Sequence, residues 1–310
     1  MGKVAFLFAG QGAQHPGMCA DLIESEPAAK AVFDAADAVR PGTTEQCLTG
    51  TKEELSQTIN TQPCVFAADL ACARALVARG VTPDAVAGFS LGEVAALTFA
   101  GAYTDEQGFE LVCHRAELMA DAAEKNPGAM RAVVKLDAPT VERLAAEAGE
   151  CWPVNYNSPL QTVVAGTEEA CEKLDLLVKE AKGRAMKVAV SGAFHSPFMA
   201  EAERGLAAYL ADHAPAEPMV PVLANRTAEA YPAEEAARVE LLSSQVANPV
   251  QWVRTLERMA ADGVDTFIEV GPGKTLTGLV SRTLEGVTAL PCETVEQLEA
   301  VLAVLDAAKE

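Results

Sequence analysis

The sequence predicts an α/β protein in which a large domain, residues 1–126 and 197–310, is interrupted by a small insert, residues 127–196. Three observations carry this. Short apolar runs suited to buried strands alternate with helical periodicities at both ends of the chain. Between them, residues 130–190 change to the order β-α-β-β-α-β, that of a split-βαβ or ferredoxin-like unit. The two patterns meet at turn sequences, Asn126-Pro127-Gly128 on the way in and a loop before Pro197 on the way out.

Taken in order, Met1 and Gly2 lead directly into Lys3–Phe8, a buried strand that ends in Ala9-Gly10-Gln11-Gly12. Thr51-Lys52-Glu53-Glu54 is a capping box opening a short helix, because the threonine and the glutamate three residues on can exchange hydrogen bonds with each other's backbone N–H. A long amphipathic helix is expected over 63–79, stopped by Gly80. Residues 85–89 form a short strand and 91–100 a helix, giving strand, sharp turn, helix. Thr104-Asp105-Glu106-Gln107 is a second capping box, heading a helix that runs through Arg115 towards Ala123.

The insert reads as strand 130–136, helix 139–148, strands 152–156 and 161–165, helix 168–182 and strand 184–190. Beyond Pro197 come a helix, a strand at 219–224, two helices, the apolar strand 266–270, a Gly-Pro-Gly turn and a helix-rich tail. Residues near both junctions can then share a cleft between the two units.

Composition narrows the function classes. The chain has 310 residues, enough for a sizeable core, and no window nears the ~18 uninterrupted apolar residues of a membrane helix. No signal peptide is legible, so the expected setting is the cytoplasm. A net charge of −20 opposes nucleic acid and anionic membrane as partners, and an acidic protein partner would need a local basic patch. The cysteines at 19, 47, 64, 72, 113, 151, 171 and 292 make no C-x-x-C pair or ligand-like spacing, which points to reduced thiols and no metal site.

The sharpest local signal is Gly88-Phe89-Ser90-Leu91-Gly92, a G-x-S-x-G between a strand and a helix. The glycines permit a tight turn that lifts Ser90 Oγ clear of the sheet, while the helix N-terminus offers donors and a favourable dipole to an oxyanion. A serine hydroxyl needs a base, and the histidines are His15, His114, His195 and His213. His195 lies in Ser191-Gly192-Ala193-Phe194-His195-Ser196-Pro197, at the return from the insert, where a cleft base belongs. No acidic third member is evident, so either a carboxylate elsewhere or a backbone carbonyl orients the imidazole. Arg115 either holds a carboxylate bidentately or makes an intrahelical salt bridge with Glu110 or Glu117. Two nucleotide motifs fail: Gly10-Gln11-Gly12 has His15 where a third glycine is required, and Gly273-Lys274-Thr275 has Ile268 where a phosphate loop needs its first glycine.

Several further motifs occur in order: Gly10-Gln11-Gly12-Ala13-Gln14, Thr61-Gln62-Pro63, the Ser90 elbow with Glu93, Arg115, Gly128-Ala129-Met130, Asn155-Tyr156-Asn157-Ser158-Pro159, Gly192-Ala193-Phe194-His195, Asn248-Pro249-Val250 and Glu269-Val270-Gly271-Pro272-Gly273. With them the chain resembles, almost end to end, the malonyl-CoA:acyl-carrier-protein transacylases. The resemblance implies an α/β-hydrolase-like large domain with a ferredoxin-like insert. It implies a ping-pong acyltransferase of fatty acid synthesis, taking malonyl from malonyl-CoA, releasing CoA and delivering to acyl carrier protein, with no cofactor.

On that resemblance Ser90 is the nucleophile, His195 the base, Gln11 and Leu91 the backbone donors of the oxyanion hole, Arg115 the clamp on the malonyl carboxylate, and the Gln245 carbonyl the group that orients His195. The Ala193-Phe194-His195 run resembles the malonyl-selective form of its loop. An acidic carrier would dock on cations such as Lys182, Arg184, Lys187 and Lys274. Two positions depart from the family pattern: Phe89, where histidine is usual, and Arg131, where a small residue is usual. A discrete acyltransferase for a polyketide synthase and a serine (thio)esterase remain alternatives with the same chemistry.

Overall fold

The structure, a computed structural model, describes residues 2–190 and 192–308. Met1, Lys309, Glu310 and Ser191, the first residue of the expected histidine loop, lie outside the described residues. The strands are β1 (Lys3–Phe8), β2 (Ala85–Gly88), β3 (Ala129–Val134), β4 (Cys151–Ser158), β5 (Gln161–Gly166), β6 (Arg184–Lys187), β7 (Val222–Leu223), β8 (Val264–Val270) and β9 (Thr288–Cys292). They form a five-stranded parallel sheet in the order β7-β2-β1-β8-β9 and a four-stranded antiparallel sheet in the order β4-β5-β3-β6.

β1 is central and buried from Val4 to Phe8, which is why it reads as an unbroken apolar run instead of an alternating one. Its register fixes the site. Phe8 stands opposite both Gly88 of β2 and Val270 of β8. The segments after those strands, Ala9-Gly10-Gln11, Phe89-Ser90 and Gly271-Pro272-Gly273, therefore leave the sheet side by side at its carboxyl edge, where open α/β sheets place their ligands.

The smaller sheet has the strand order of a ferredoxin-like unit, and the helices Ala138–Ala148 and Glu168–Glu180 pack on it through an apolar core of Val133, Val141, Leu144, Leu174 and Val178. Alternation along β3 divides its side chains. Met130 and Ala132 join the main core, whereas Val133 belongs to the insert's own. β4 is tied to the other unit by Tyr156 N–H to Val250 O (3.0 Å) and Val250 N–H to Val154 O (2.8 Å).

Both capping boxes form, at Thr51 with Glu54 and at Thr104 with Gln107. The expected helix over 63–79 is corrected: it spans Thr58–Ala78, with Pro63 inside it, and is not amphipathic. Every residue from Thr61 to Ala73 is buried, because the helix runs through the core between the helices Pro27–Val39, Leu91–Phe99 and Asp105–Lys125. That burial outweighs the hydrogen bond lost at the proline.

The strand at 219–224 is reduced to β7: Pro221 O accepts from Val86 N–H (2.9 Å), but Pro221 has no N–H with which to extend the ladder backwards. The last insert strand stops at Lys187, not 190. The tail, read as helix-rich, contains β9 between the helices Thr275–Thr283 and Val295–Ala307. Pro291 hides β9 in the sequence, and a proline is tolerated there because β9 is an edge strand.

Candidate active site

Ser90 is the N-cap of the helix Leu91–Phe99 and sits at φ 54°, ψ −109°, a backbone conformation unfavourable to any residue with a Cβ. The flanking glycines make the turn possible. A Cβ on Gly88 would come within 1.9 Å of the Gly92 carbonyl, and one on Gly92 within 2.4 Å of Phe8 O. Two side chains hold the strained residue from either side: Ser90 N–H donates to Asn225 Oδ1 (2.7 Å), and Gln245 Nε2 donates to Ser90 O (2.7 Å).

His195 Nε2 lies 2.8 Å from Ser90 Oγ. Its Nδ1 lies 3.0 Å from Gln245 O and 3.2 Å from Asn248 O. Carbonyls only accept, so Nδ1 carries the proton and Nε2 presents its lone pair to the serine hydroxyl. Among the described residues no carboxylate bonds the ring; both partners of Nδ1 are backbone carbonyls. Burial, reinforced by the Arg115 charge, pushes the His195 pKa down to about 4, which keeps the imidazole neutral near pH 7.

Arg115 is 1% exposed on the helix Asp105–Lys125. It makes neither salt bridge expected within its helix. Nη1 donates to Gln62 Oε1 (2.6 Å), and Nη2 donates to Gln245 Oε1 (2.7 Å) and to Ser90 Oγ (3.2 Å). Nε, on the same edge of the guanidinium as Nη2, has no partner among the described residues. Burial pulls the Arg115 pKa down to about 10, against the opposing effect of Glu93, so the group remains a cation at pH 7.

These groups face a cavity of about 300 Å³ between the two sheets. Gln11 and Leu91 line it beside Ser90, as does Met130 from the insert. Arg131 faces the other way, buried against Asp175 (3.0 Å) and Glu168 (2.7 Å) on the insert's helix Glu168–Glu180. Phe89 lines the cavity and packs edge to face on Trp252, with ring centroids 5.3 Å apart. It supplies packing and no proton.

All four expected docking cations, Lys182, Arg184, Lys187 and Lys274, are exposed, and Lys187 also pairs with the half-exposed Glu168 at 2.8 Å. Among the described residues no group of His, Cys, Asp and Glu is arranged to hold a metal ion, and no helix is long and apolar enough to cross a membrane.

The family model for the acyl transferase domain matches residues 5–300. The malonyl CoA-acyl carrier protein transacylase of Bacillus subtilis is 37% identical over 305 residues, covering 96% of each chain. The chain belongs to the malonyl-CoA–acyl carrier protein transacylases. The crystal structure of the transacylase from Clostridium perfringens superposes with a TM-score of 0.95 at 35% identity, covering 99% of this chain and 98% of that one. A malonyl-transacylase solved with a type II PKS acyl-carrier protein matches with a TM-score of 0.94 at 35% identity over 97% of this chain and 99% of that one.

Three contributors to this candidate site have no role in what the sequence implies. Asn225 clamps Ser90, Gln62 holds Arg115, and Asn248 shares His195 Nδ1. Gln62 and Asn248 belong to motifs that the sequence displays, Thr61-Gln62-Pro63 and Asn248-Pro249-Val250. Asn225 has no such signal, because only the β7 edge brings it to Ser90.

Proposed function

We propose that this protein moves a malonyl group from malonyl-CoA to the phosphopantetheine thiol of acyl carrier protein, in the cytoplasm, supplying fatty acid synthesis. Ser90 Oγ attacks the thioester carbonyl as His195 Nε2 takes its proton. The C–S bond breaks, the proton passes to the CoA sulfur, and malonyl-Ser90 remains. The carrier thiol then gives its proton to His195 and attacks the ester carbonyl; the C–O bond to Ser90 breaks and His195 returns the proton to Ser90 Oγ. The N–H groups of Gln11 and Leu91 hold the oxyanion in both halves, and the Gln245 carbonyl keeps His195 in its reacting tautomer.

The observation that carries this reading is the buried Arg115, whose Nε and Nη2 edge is turned towards Ser90 Oγ. A fork of two N–H groups beside the nucleophile suits a carboxylated acyl group and has no use for acetyl. Phe194, lining the cavity next to His195, narrows it against a branched α-carbon.

Likeness to a transacylase solved with a type II PKS acyl-carrier protein favours, as a second reading, service to a polyketide synthase. We place the large domain at 1–126 and 197–310 and the insert at 127–196, on the strength of the two sheets and the insert's separate core. Lys182, Arg184, Lys187 and Lys274, all exposed, are the cations proposed to dock an acidic carrier. The cytoplasm suits the eight free cysteines, a poor match to an oxidising compartment.

Intact mass after brief exposure to malonyl-CoA tests the reading. Wild-type protein gains one malonyl group and loses it to carrier protein, and Ser90→Ala gains none. Labelling of Ser90→Ala, or release of free malonate in place of malonyl-carrier, refutes it.

A further inference from the structure

We infer that Glu93 is a positioning residue of this site: through Asn225 and Gln245 its buried carboxylate fixes the strained Ser90 backbone and the groups that accept from His195 and Arg115. This rests on the function proposed above and adds a residue to which no role has been given.

Glu93 is wholly buried in the first turn after the elbow. Its Oε1 accepts from the Tyr231 hydroxyl, and its Oε2 accepts from Asn225 N–H (2.9 Å) and Gln245 Nε2 (3.1 Å). All three partners donate, so the arrangement suits an ionised, acceptor-only carboxylate. Burial raises the Glu93 pKa, while those donors and the Arg115 charge oppose the rise.

Each of two partners then reaches the reacting groups. Asn225, held by its N–H, accepts from Ser90 N–H at Oδ1 and donates from Nδ2 to Gly88 O (2.6 Å). Gln245 donates from Nε2 to Ser90 O, accepts Arg115 Nη2 at Oε1, and accepts His195 Nδ1 at its backbone carbonyl.

The carboxylate decides which way the Gln245 amide faces. An amide can present either end, but Glu93 repels an oxygen and attracts the N–H₂ group, so Nε2 is drawn to Glu93 and Ser90 O. Oε1 is thereby turned to Arg115. Glu93 also balances the buried Arg115 charge at one remove, which leaves the Nε and Nη2 edge uncommitted to any carboxylate among the described residues.

Single-turnover acylation by malonyl-CoA, followed by intact mass, tests the inference with two conservative variants measured beside the wild type. Glu93→Gln keeps an oxygen for Asn225 and Gln245 and turns its amide to the Tyr231 hydroxyl oxygen. Glu93→Asp keeps the charge but withdraws the oxygens by about one bond length. Positioning requires Glu93→Gln to retain acylation within ~10-fold. It requires Glu93→Asp to lose ~10²-fold in maximal rate, the scale of a 1 Å misplacement, with the malonyl-CoA KM little changed. The acid limb of the Glu93→Asp pH profile should also move, because the Gln245 carbonyl shifts against His195 Nδ1. Wild-type rates in Glu93→Asp, or a Glu93→Gln loss as deep as that of Glu93→Asp, overturn the inference. A wild-type protein that takes no malonyl group overturns the proposed function instead.

Discussion

Replacing Arg115 with alanine removes a buried cation that touches three groups at once, and the structure gives three separable consequences. The first is selectivity. A charge-assisted hydrogen bond contributes about 1.5–3 kcal/mol, so loss of the fork beside Ser90 Oγ should narrow the malonyl-over-acetyl ratio of kcat/KM by roughly 10- to 100-fold. Acetyl-CoA has no carboxylate to lose.

The second consequence is electrostatic. The Arg115 charge is the second cause, after burial, of the depressed His195 pKa, so its removal lets that pKa rise from about 4 towards 6.5. A base must be unprotonated to act, and wild-type acylation should therefore be flat from pH 8 down to about 5. In the variant, acetyl transfer should begin to fall at a higher pH than in the wild type, although burial, the larger cause, still holds the His195 pKa below its ordinary value. The third consequence is stability. Gln62 Oε1 and Gln245 Oε1 lose their donor and Glu93 its counter-charge, which should cost about 3 kcal/mol in urea unfolding. Intact-mass acylation with both thioesters across pH reads the first two. An unchanged malonyl-to-acetyl ratio in a folded variant refutes the clamp, and an unmoved acid limb refutes the assigned coupling to His195.

Other perturbations separate the scaffold from the chemistry. His195, buried with a pKa lowered from 6.5 to about 4, contributes stability that is present above pH 6.5 and lost as the pH falls through about 4. The full loss is about 3 kcal/mol, of which about 2 kcal/mol falls between pH 7 and pH 5, so the difference in urea stability between those pH values should be smaller in His195→Gln. Gly92→Ala places a Cβ 2.4 Å from Phe8 O, at the end of the central strand, and 2.5 Å from Ala9 O, just beyond it. It should destabilise the protein by at least about 3 kcal/mol, and a variant with a wild-type melting temperature contradicts the elbow packing. Arg131→Ala removes a pair whose carboxylates are a third to half exposed, so it should cost about 1–2 kcal/mol with acylation of Ser90 unchanged. A changed acyl preference in Arg131→Ala would place that residue at the cavity after all.

The fold was legible wherever a local rule governs. Unbroken apolar character marks β1 because both faces of a central parallel strand are buried, and the capping boxes at Thr51 and Thr104 mark helix starts because their partners are three residues apart. What failed was set by position in the whole. The helix Thr58–Ala78 runs through Pro63 because the core surrounds it, and β9 carries Pro291 because it lies at an edge.

The site divides in the same way. By itself the sequence determined the glycine-flanked turn at Ser90, the histidine loop at His195 and the presence of a cation at Arg115, since residue type and spacing carry that chemistry. The family resemblance already implied the Gln245 carbonyl beside His195 and Arg115 in the site; only the tertiary structure showed that the Asn248 carbonyl shares His195 Nδ1, and that Arg115 donates to Ser90 Oγ instead of pairing with Glu110 or Glu117. It alone brought Asn225 and Gln245 to the elbow and to Glu93 beside it. Those contacts join residues more than 130 positions apart, and no periodicity of a single chain segment encodes a hydrogen bond across that distance.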